Sequence, residues 1–239
     1  MDTPALIGLS KQVLMKQQLS VIANNIANVS TVGFKGEQML FAEYLSKAGQ
    51  NEKISFVQGT GIVSNYAMGQ LIDTTNSLDM AIEGRGYFAV ETPLGTRYTR
   101  NGHFQLNELR QIVTSDGYPL LSSSNRPIVL GPNDREITIA HTGEISTESG
   151  LIGKVQTFQF DDENQLRRTE NGLFSAPLQP KPADQAKILQ GKLEQSNVEP
   201  ISEVTKMIEI ARAYESANKL IESENDRKRR AIQTLTQTN

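Results

Sequence analysis

The C-terminal part of the chain repeats at heptad spacing, which constrains the fold more than any other feature of the sequence. Met207, Ala211, Tyr214, Asn218, Ile221, Asn225, Lys228, Ile232 and Leu235 alternate at intervals of four and three residues. Ile201, Val204 and Ile208 thicken the apolar stripe at its start, and Pro200 stands just before it, where helices commonly begin. A helix from Pro200 to Thr236 would run about 55 Å at 1.5 Å per residue. Acid-first pairs four residues apart, Glu215 with Lys219, Glu224 with Lys228 and Asp226 with Arg230, add about 0.3–0.5 kcal/mol each on an exposed face. Helices of this kind draw most of their stability from packing, so the stripe requires a partner.

The N-terminal part carries a second stripe. From Pro4 to Asn28 apolar residues fall at Leu6, Leu9 and Val13 and then, after a two-residue slip of phase, at Met15, Leu19, Ile22, Ile26 and Val29; Gly33 ends the pattern. Its last turns read VIANNIANVSTVGFKG, Val21 to Gly36. Here Asn24, Asn25 and Asn28, poor helix formers, crowd an apolar stripe, while Ala23 and Ala27 permit close approach of a neighbour. Buried amides are tolerable only when paired. The two stripes can pair within one chain or with those of other copies. Asn218, Asn225 and Lys228 on the C-terminal seam weaken a simple two-helix hairpin and specify register among several helices, which favours assembly.

Between the helical ends the period changes. Leu78 to Asn107 contains short alternating runs punctuated by Gly84, Gly86, Pro93 with Gly95, and Asn101-Gly102, and further turn signals follow at Asp116-Gly117, Gly131-Pro132 and Asn171-Gly172. A β-rich domain is expected over 73–175. The run APLQPKPADQ, Ala176 to Gln185, holds three prolines, which disfavour helix interior and central strand alike. The expected class is α+β: an N-terminal assembly helix and motif in 1–35, a connecting segment in 36–72, the β-rich domain, a Pro-containing linker in 176–196 and a C-terminal assembly helix in 197–239. The two helices are expected to pack together as a coiled-coil-like layer.

Charge and motif content exclude several functions. A net charge of −3 gives no general attraction to nucleic acid. No run of 18 apolar residues exists, so no helical membrane span is expected, and the N-terminus lacks the pattern of a cleavable signal peptide. The chain has no cysteine, which removes disulfides and thiolate metal sites. His103 and His141 have no Ser/Asp or metal-ligand spacing around them. Gly84-Arg85-Gly86 lacks the continuation of a phosphate loop and reads as a turn, and Asp161, Asp162 and Glu163 lack the spacing of a calcium loop. Arg227, Lys228, Arg229 and Arg230 read first as a solvated helix face paired with the acids before it, and second as a lining of a narrow lumen. No catalytic, metal or cofactor site is expected. Two rival classes remain: a cell-wall hydrolase, whose convergent carboxylate or Ser/His constellation is not visible, and a self-contained coiled-coil binding module.

Four segments in order carry a family resemblance. ANNIANVxTxGFK, present as Ala23, Asn24, Asn25, Ile26, Ala27, Asn28, Val29, Thr31, Gly33, Phe34 and Lys35, resembles the N-terminal motif of the flagellar rod and hook protein family. LDMAIEGRGYFAVETPLGTRYTRNGHFQLN (Leu78 to Asn107) is similar to its central β signature and TSDGYPLL (Thr114 to Leu121) to the segment after it. LEQSNVEPISEVTKMIEIARAYESANKLI (Leu193 to Ile221) is similar to its C-terminal signature, so the resemblance covers essentially the whole chain. IGLSKQ (Ile7 to Gln12) and the short length are most similar to the proximal rod members, with the distal rod members close. One departure is local: Leu109 and Arg110 stand where the family often places a turn glycine.

The resemblance implies a structural subunit without active site or cofactor. Rod subunits assemble helically into a hollow, torque-transmitting tube across the periplasm, with the terminal helices inside and the β domain outside. It implies as partners copies of the chain, other proximal and distal rod proteins and the flagellar type III export apparatus, which passes the chain unfolded on an uncleaved N-terminal region. Absence of cysteine then also avoids wrong disulfides in an oxidising compartment. The implied assembly residues are Leu19, Ile22, Ala23, Asn24, Asn25, Ile26, Ala27, Asn28, Gly33 and Phe34 at one end, and Val204, Met207, Ile208, Ala211, Tyr214, Asn218 and Ile221 at the other. The asparagines are expected to hydrogen-bond across helices and set subunit register.

Overall fold

The computed structural model describes residues 3–47, 53–132, 134–177 and 179–237, and the chain divides into two compact units. The first contains α1 (Thr3–Ala27), β1 (Glu37–Lys47), β2 (Lys53–Ser64) and α2 (Pro200–Gln237). The second is formed by Asn28–Gly36 and Tyr66–Val198.

In the first unit α1 and α2 pack antiparallel. Gly8 lies against Ile221, the Gln12 amide donates to Asn218, and Asn25 donates to Glu203. This register removes the phase slip expected in α1. The line toward α2 runs Gly8, Gln12, Met15, Leu19, Ile22 at unbroken 4,3 spacing, so a glycine and a hydrogen-bonded glutamine stand where apolar side chains were sought. Leu9 and Val13 fall outside that line and are exposed. On α2, Asn218 and Ile221 face α1, whereas Ile201, Val204 and Ile208 remain 83%, 44% and 48% exposed, because at 3.6 residues per turn they lie on another flank of the helix. Leu6, Ile232 and Leu235 lie outside the described side chains.

The segment 36–72, expected as a connection, instead forms a long antiparallel hairpin. β1 pairs β2 from Glu37 opposite Ser64 to Lys47 opposite Lys53, with a bulge where Leu40 faces Gly61 and Phe41 faces Gly59. Within β2, Ile54, Phe56, Thr60 and Ile62 at even spacing were the available signal.

The second unit contains β3 (Leu71–Asp73), β4 (Met80–Glu83), β5 (Tyr87–Thr92), β6 (Gly95–Thr99), β7 (Phe104–Leu106), β8 (Ile112–Thr114), β9 (Ile137–Ile139), β10 (Glu144–Thr147), β11 (Gly150–Lys154) and β12 (Thr157–Gln159). After these come β13 (Arg167–Arg168), β14 (Phe174–Ser175), β15 (Lys181–Pro182), β16 (Lys187–Gln190) and β17 (Lys192–Glu194). Its largest sheet has the order β13-β14-β6-β5-β12-β15. β5 is buried on both faces: Phe88 and Val90 enter one apolar cluster with Met80, Phe104 and Leu120, while Tyr87 and Ala89 enter another with Tyr98, Phe160 and Phe174. Edge-on aromatic pairs, Phe88 with Phe104 at 5.4 Å and Tyr98 with Phe160 at 4.9 Å, tie strands within each cluster and add about 0.5–1.5 kcal/mol apiece beyond area burial.

The expected linker 176–196 also differs. β15, β16 and β17 pair with β12, β4 and β3, so the return segment closes the β unit. The prolines are accommodated because Pro182 sits in a two-residue strand at the edge of the large sheet, where a missing N–H costs no ladder bond. Beyond them, Ile188 and Leu193 are buried.

Candidate functional site

The N-terminal motif crosses from the first unit to the second, and its two halves do different work. In the helical half Asn25 is buried with every hydrogen-bonding group of its amide used. Its Nδ2 donates to the Glu37 carbonyl at 2.8 Å and to Glu203 Oε2 at 3.0 Å, while its Oδ1 accepts the Glu37 N–H at 2.8 Å. Asn25 thus acts as a strand partner for the first residue of β1 and anchors Glu203 of α2. Glu203 in turn accepts from Lys206 at 2.6 Å.

Of the three asparagines expected to bond across helices, Asn25 does so within its own chain, from α1 to Glu203 of α2, whereas the contacts described for Asn24 and Asn28 are to nearby residues. Asn25 bonds within its own chain, Asn24 is exposed with a 3.4 Å contact to Glu37, and Asn28 closes a turn by accepting the Thr31 N–H at 3.1 Å and its hydroxyl at 3.2 Å. Asn25→Ala should therefore lower the stability of the isolated protein by about 1–3 kcal/mol, since it strands the Glu37 amide and a buried carboxylate, while Asn24→Ala should stay within about 0.5 kcal/mol. Urea unfolding of both variants checks this; equal effects would refute the assignment.

The second half, Asn28–Gly36, is a strap seated in the β unit. Gly33 takes φ +69°, donates its N–H to the Glu194 carbonyl at 2.7 Å, and would place a Cβ 2.5 Å from the Arg100 backbone, so only glycine fits. Phe34 is buried with the Arg168 guanidinium 4.0 Å above its ring. Lys35 is inserted into a charged cluster: Nζ donates to Glu194 Oε1 at 2.6 Å and to the Ala67 carbonyl at 2.8 Å, and both side chains are only 1% exposed. Glu194 also accepts the Gly69 N–H at 2.9 Å and Arg100 NH1 at 3.3 Å; Arg100 further donates to the carbonyls of Ile82 and Gly84. Burial holds the Lys35 ammonium below the ordinary lysine value against the opposing pull of Glu194. For the charged form of Lys35, desolvation therefore outweighs the attraction of Glu194.

Of the other expected residues, Ile22 is buried and Leu19, Ile26, Met207, Ala211 and Tyr214 are half-buried, while Ala23, Ala27, Val204 and Ile208 are exposed. Glu37, Glu194, Glu203 and Arg100 were missed. A Glu in the first turn of a helix is the only local signal any of them carried.

The remaining polar features are structural. His103 pairs with Asp79 at 2.8 Å, and His141 Nδ1 lies 3.0 Å from the Ile188 carbonyl. Gly84 and Gly86, both at positive φ, form the turn from β4 to β5. Asp162 accepts the Asn164 N–H, which holds its carboxyl below the usual range. Arg110 takes the left-handed conformation at φ 58°, so the turn that lacks the family's glycine keeps glycine-like geometry. A 530 Å³ groove in the β unit is lined by Thr92, Leu94, Arg97, Tyr118 and Glu170, without a paired acid and base. Among the described residues no group of three or more His, Asp or Glu could hold a metal ion, and no helix is long and apolar enough to cross a membrane.

Comparison with known proteins places matches at these same segments. Family models described as flagella basal body rod protein, flagellar hook protein FlgE/F/G D1 domain, and flagellar basal body rod FlgEFG protein C-terminal match residues 14–35, 81–147 and 189–234. The chain is 35% identical over 251 aligned residues to the flagellar basal-body rod protein FlgF of Caulobacter vibrioides, covering 100% of both. It is 32% identical to the FlgF of Rhizobium meliloti over 98% of each chain. To the FlgG of Bacillus subtilis it is 33% identical, over 92% of this chain and 94% of that one.

Proposed function

The chain belongs to the flagellar basal-body rod protein family as a FlgF-like structural subunit, and from that premise we propose that its α1–α2 pair is the surface by which it joins its neighbours in the rod. In this reading copies of the chain and other rod proteins pack their helix pairs into a hollow shaft that carries torque. The chain reaches it in the periplasm through the flagellar export apparatus, and has no catalytic role.

The observation that carries this is the uncovered apolar surface on an otherwise satisfied helix pair. Ile201, Val204 and Ile208 on α2, and Leu9 and Val13 on α1, are exposed although each helix already packs against the other. Burying such side chains is worth about 1.5–3 kcal/mol each, and a helix pair free in solution gains nothing from displaying them. Met207, Ala211, Tyr214, Asn218 and Ile221 then belong to the support within the chain, and Val204 and Ile208 to the contact between chains.

Ile208→Asp is expected to lower the unfolding free energy of the isolated subunit by only about 1 kcal/mol, because half of the side chain is already exposed, and to abolish rod assembly and swimming. Normal motility of that variant would refute the proposal. A self-contained coiled-coil module is the second reading, favoured by the pairing of α1 with α2 inside one chain; it would leave Ile208→Asp without phenotype in any assembly assay.

A further inference from the structure

The sequence contains two Asn-Gly dipeptides, Asn101-Gly102 and Asn171-Gly172. In such a pair the asparagine amide is open to attack by the main chain, because the glycine that follows has no side chain beside its nitrogen. Sequence alone treats the two as equal, and the fold separates them.

Asn101-Gly102 is locked. Asn101 Oδ1 accepts the His103 N–H at 3.0 Å, and the Asn101 N–H donates to Thr99 Oγ1 at 3.0 Å. Gly102 is buried, its carbonyl accepts the Met80 N–H at 2.9 Å, and it approaches the Met80 carbonyl so closely that no Cβ would fit. The peptide between Asn101 and Gly102 cannot turn without opening the apolar cluster that holds Met80 and Phe88.

Asn171-Gly172 lacks these restraints. Both residues are exposed in the short turn Glu170–Gly172, which joins β13 to β14. Among the described residues the Asn171 amide makes no hydrogen bond, and nothing lies within 4 Å of where a Gly172 Cβ would stand. Asn125 shares the exposure and the left-handed backbone of Asn171, both at φ 59°, but Arg126 follows it and places a side chain beside the attacking nitrogen. Only Asn171 combines an unheld amide, open surroundings and a following glycine.

We propose that Asn171 is a modification site at which the folded protein deamidates through its own main chain, while Asn101 is protected. The Gly172 nitrogen bonds to Asn171 Cγ and gives up its proton; the bond from Cγ to the side-chain nitrogen breaks, and ammonia leaves with that proton. Water then opens the cyclic imide at either of its carbonyls, giving aspartate or isoaspartate, and nothing is oxidised or reduced. Either product sets a new carboxylate beside Glu170. The isoaspartate also lengthens the main chain inside a turn that the Thr169 N–H closes on the Leu173 carbonyl at 2.8 Å. This inference concerns the β unit alone and does not depend on the rod reading.

The test is ageing of the full-length folded protein in mildly alkaline buffer, beside a sample unfolded in guanidinium chloride. Peptide mapping by mass spectrometry and labelling with isoaspartyl methyltransferase follow each asparagine. In the unfolded sample Asn101 and Asn171 should convert at comparable rates. In the folded protein Asn101 should fall at least about tenfold behind Asn171, because its reaction waits for local opening. Asn125 should lag in both samples. Equal rates at Asn101 and Asn171 in the folded protein, or no conversion of folded Asn171 while the unfolded sample reacts, would overturn the proposal. Conversion of Asn125 as fast as Asn171 would overturn it too, since exposure alone would then suffice.

Discussion

Glu194→Ala is expected to cost the isolated protein about 3–5 kcal/mol, a large share of the 5–15 kcal/mol typical of a folded domain. The carboxylate accepts Lys35 Nζ, Arg100 NH1 and the Gly69 N–H, at 2.6, 3.3 and 2.9 Å, while Glu163 acts on the same two cations only at longer range. Its removal leaves an ammonium and a guanidinium buried without a hydrogen-bonded counter-ion, and Arg100 Nε is already without a partner. The expected observable is a lower urea midpoint, together with faster proteolysis within Asn28–Gly36, because the strap loses its anchor. The double variant Lys35→Met with Glu194→Leu should be much milder than the sum of the single changes, since it removes charge and counter-charge together. A single variant that loses less than about 1 kcal/mol would mean that water or another acid compensates, and the strap would need a different explanation.

Gly102→Ala should be at least as damaging, for a reason unrelated to charge. A Cβ at Gly102 would overlap the Met80 carbonyl oxygen, which belongs to backbone and cannot swing aside. The Met80 N–H donates to the Gly102 carbonyl at 2.9 Å, so relieving the overlap would break the contact that brings β4 beside the turn before β7. Met80 and Phe88, the neighbours of that turn, are fully buried in the larger apolar cluster. A loss of about 3 kcal/mol or more, or failure to fold, is expected. Gly61→Ala is the matched control: no atom lies within 4 Å of its would-be Cβ, so the change should be near neutral or stabilise by up to about 1 kcal/mol. Comparable thermal midpoints for the two variants would show that the close approach at Gly102 relaxes at little cost.

Both positions bear on what could be read without the fold. Element type was legible at the ends and in the middle because periodicity is a local property. Pro200 and the 4,3 run mark α2, and the turn glycines mark the β region. The motif around Asn25 and Lys35 and the signatures after it were enough to recognise the family. The partner of each residue in those motifs was not legible. Asn25 looked like a polar group awaiting another subunit, yet it satisfies the Glu37 backbone and the Glu203 carboxylate of its own chain. The apparent phase slip in α1 arose because Gly8 and Gln12, neither of them apolar, lie on its inward line. The prolines of 176–196 suggested a strap, while Pro182 in fact sits at a sheet edge and the strands beyond it close the unit.

What the sequence by itself determined is the two terminal helices, the strands of the middle and the turns between them, since those preferences are settled within a few residues; the hairpin of 37–64 was not legible in it, and the strands within 181–194 took their pairing from distant partners. The tertiary structure alone decided which charges meet and which apolar side chains stay wet. Lys35 and Glu194 are 159 residues apart, and only the closure of the β unit brings them to 2.6 Å. Ile208 is left outside for the same reason: its exposure depends on where α1 lies against α2, which no local pattern specifies.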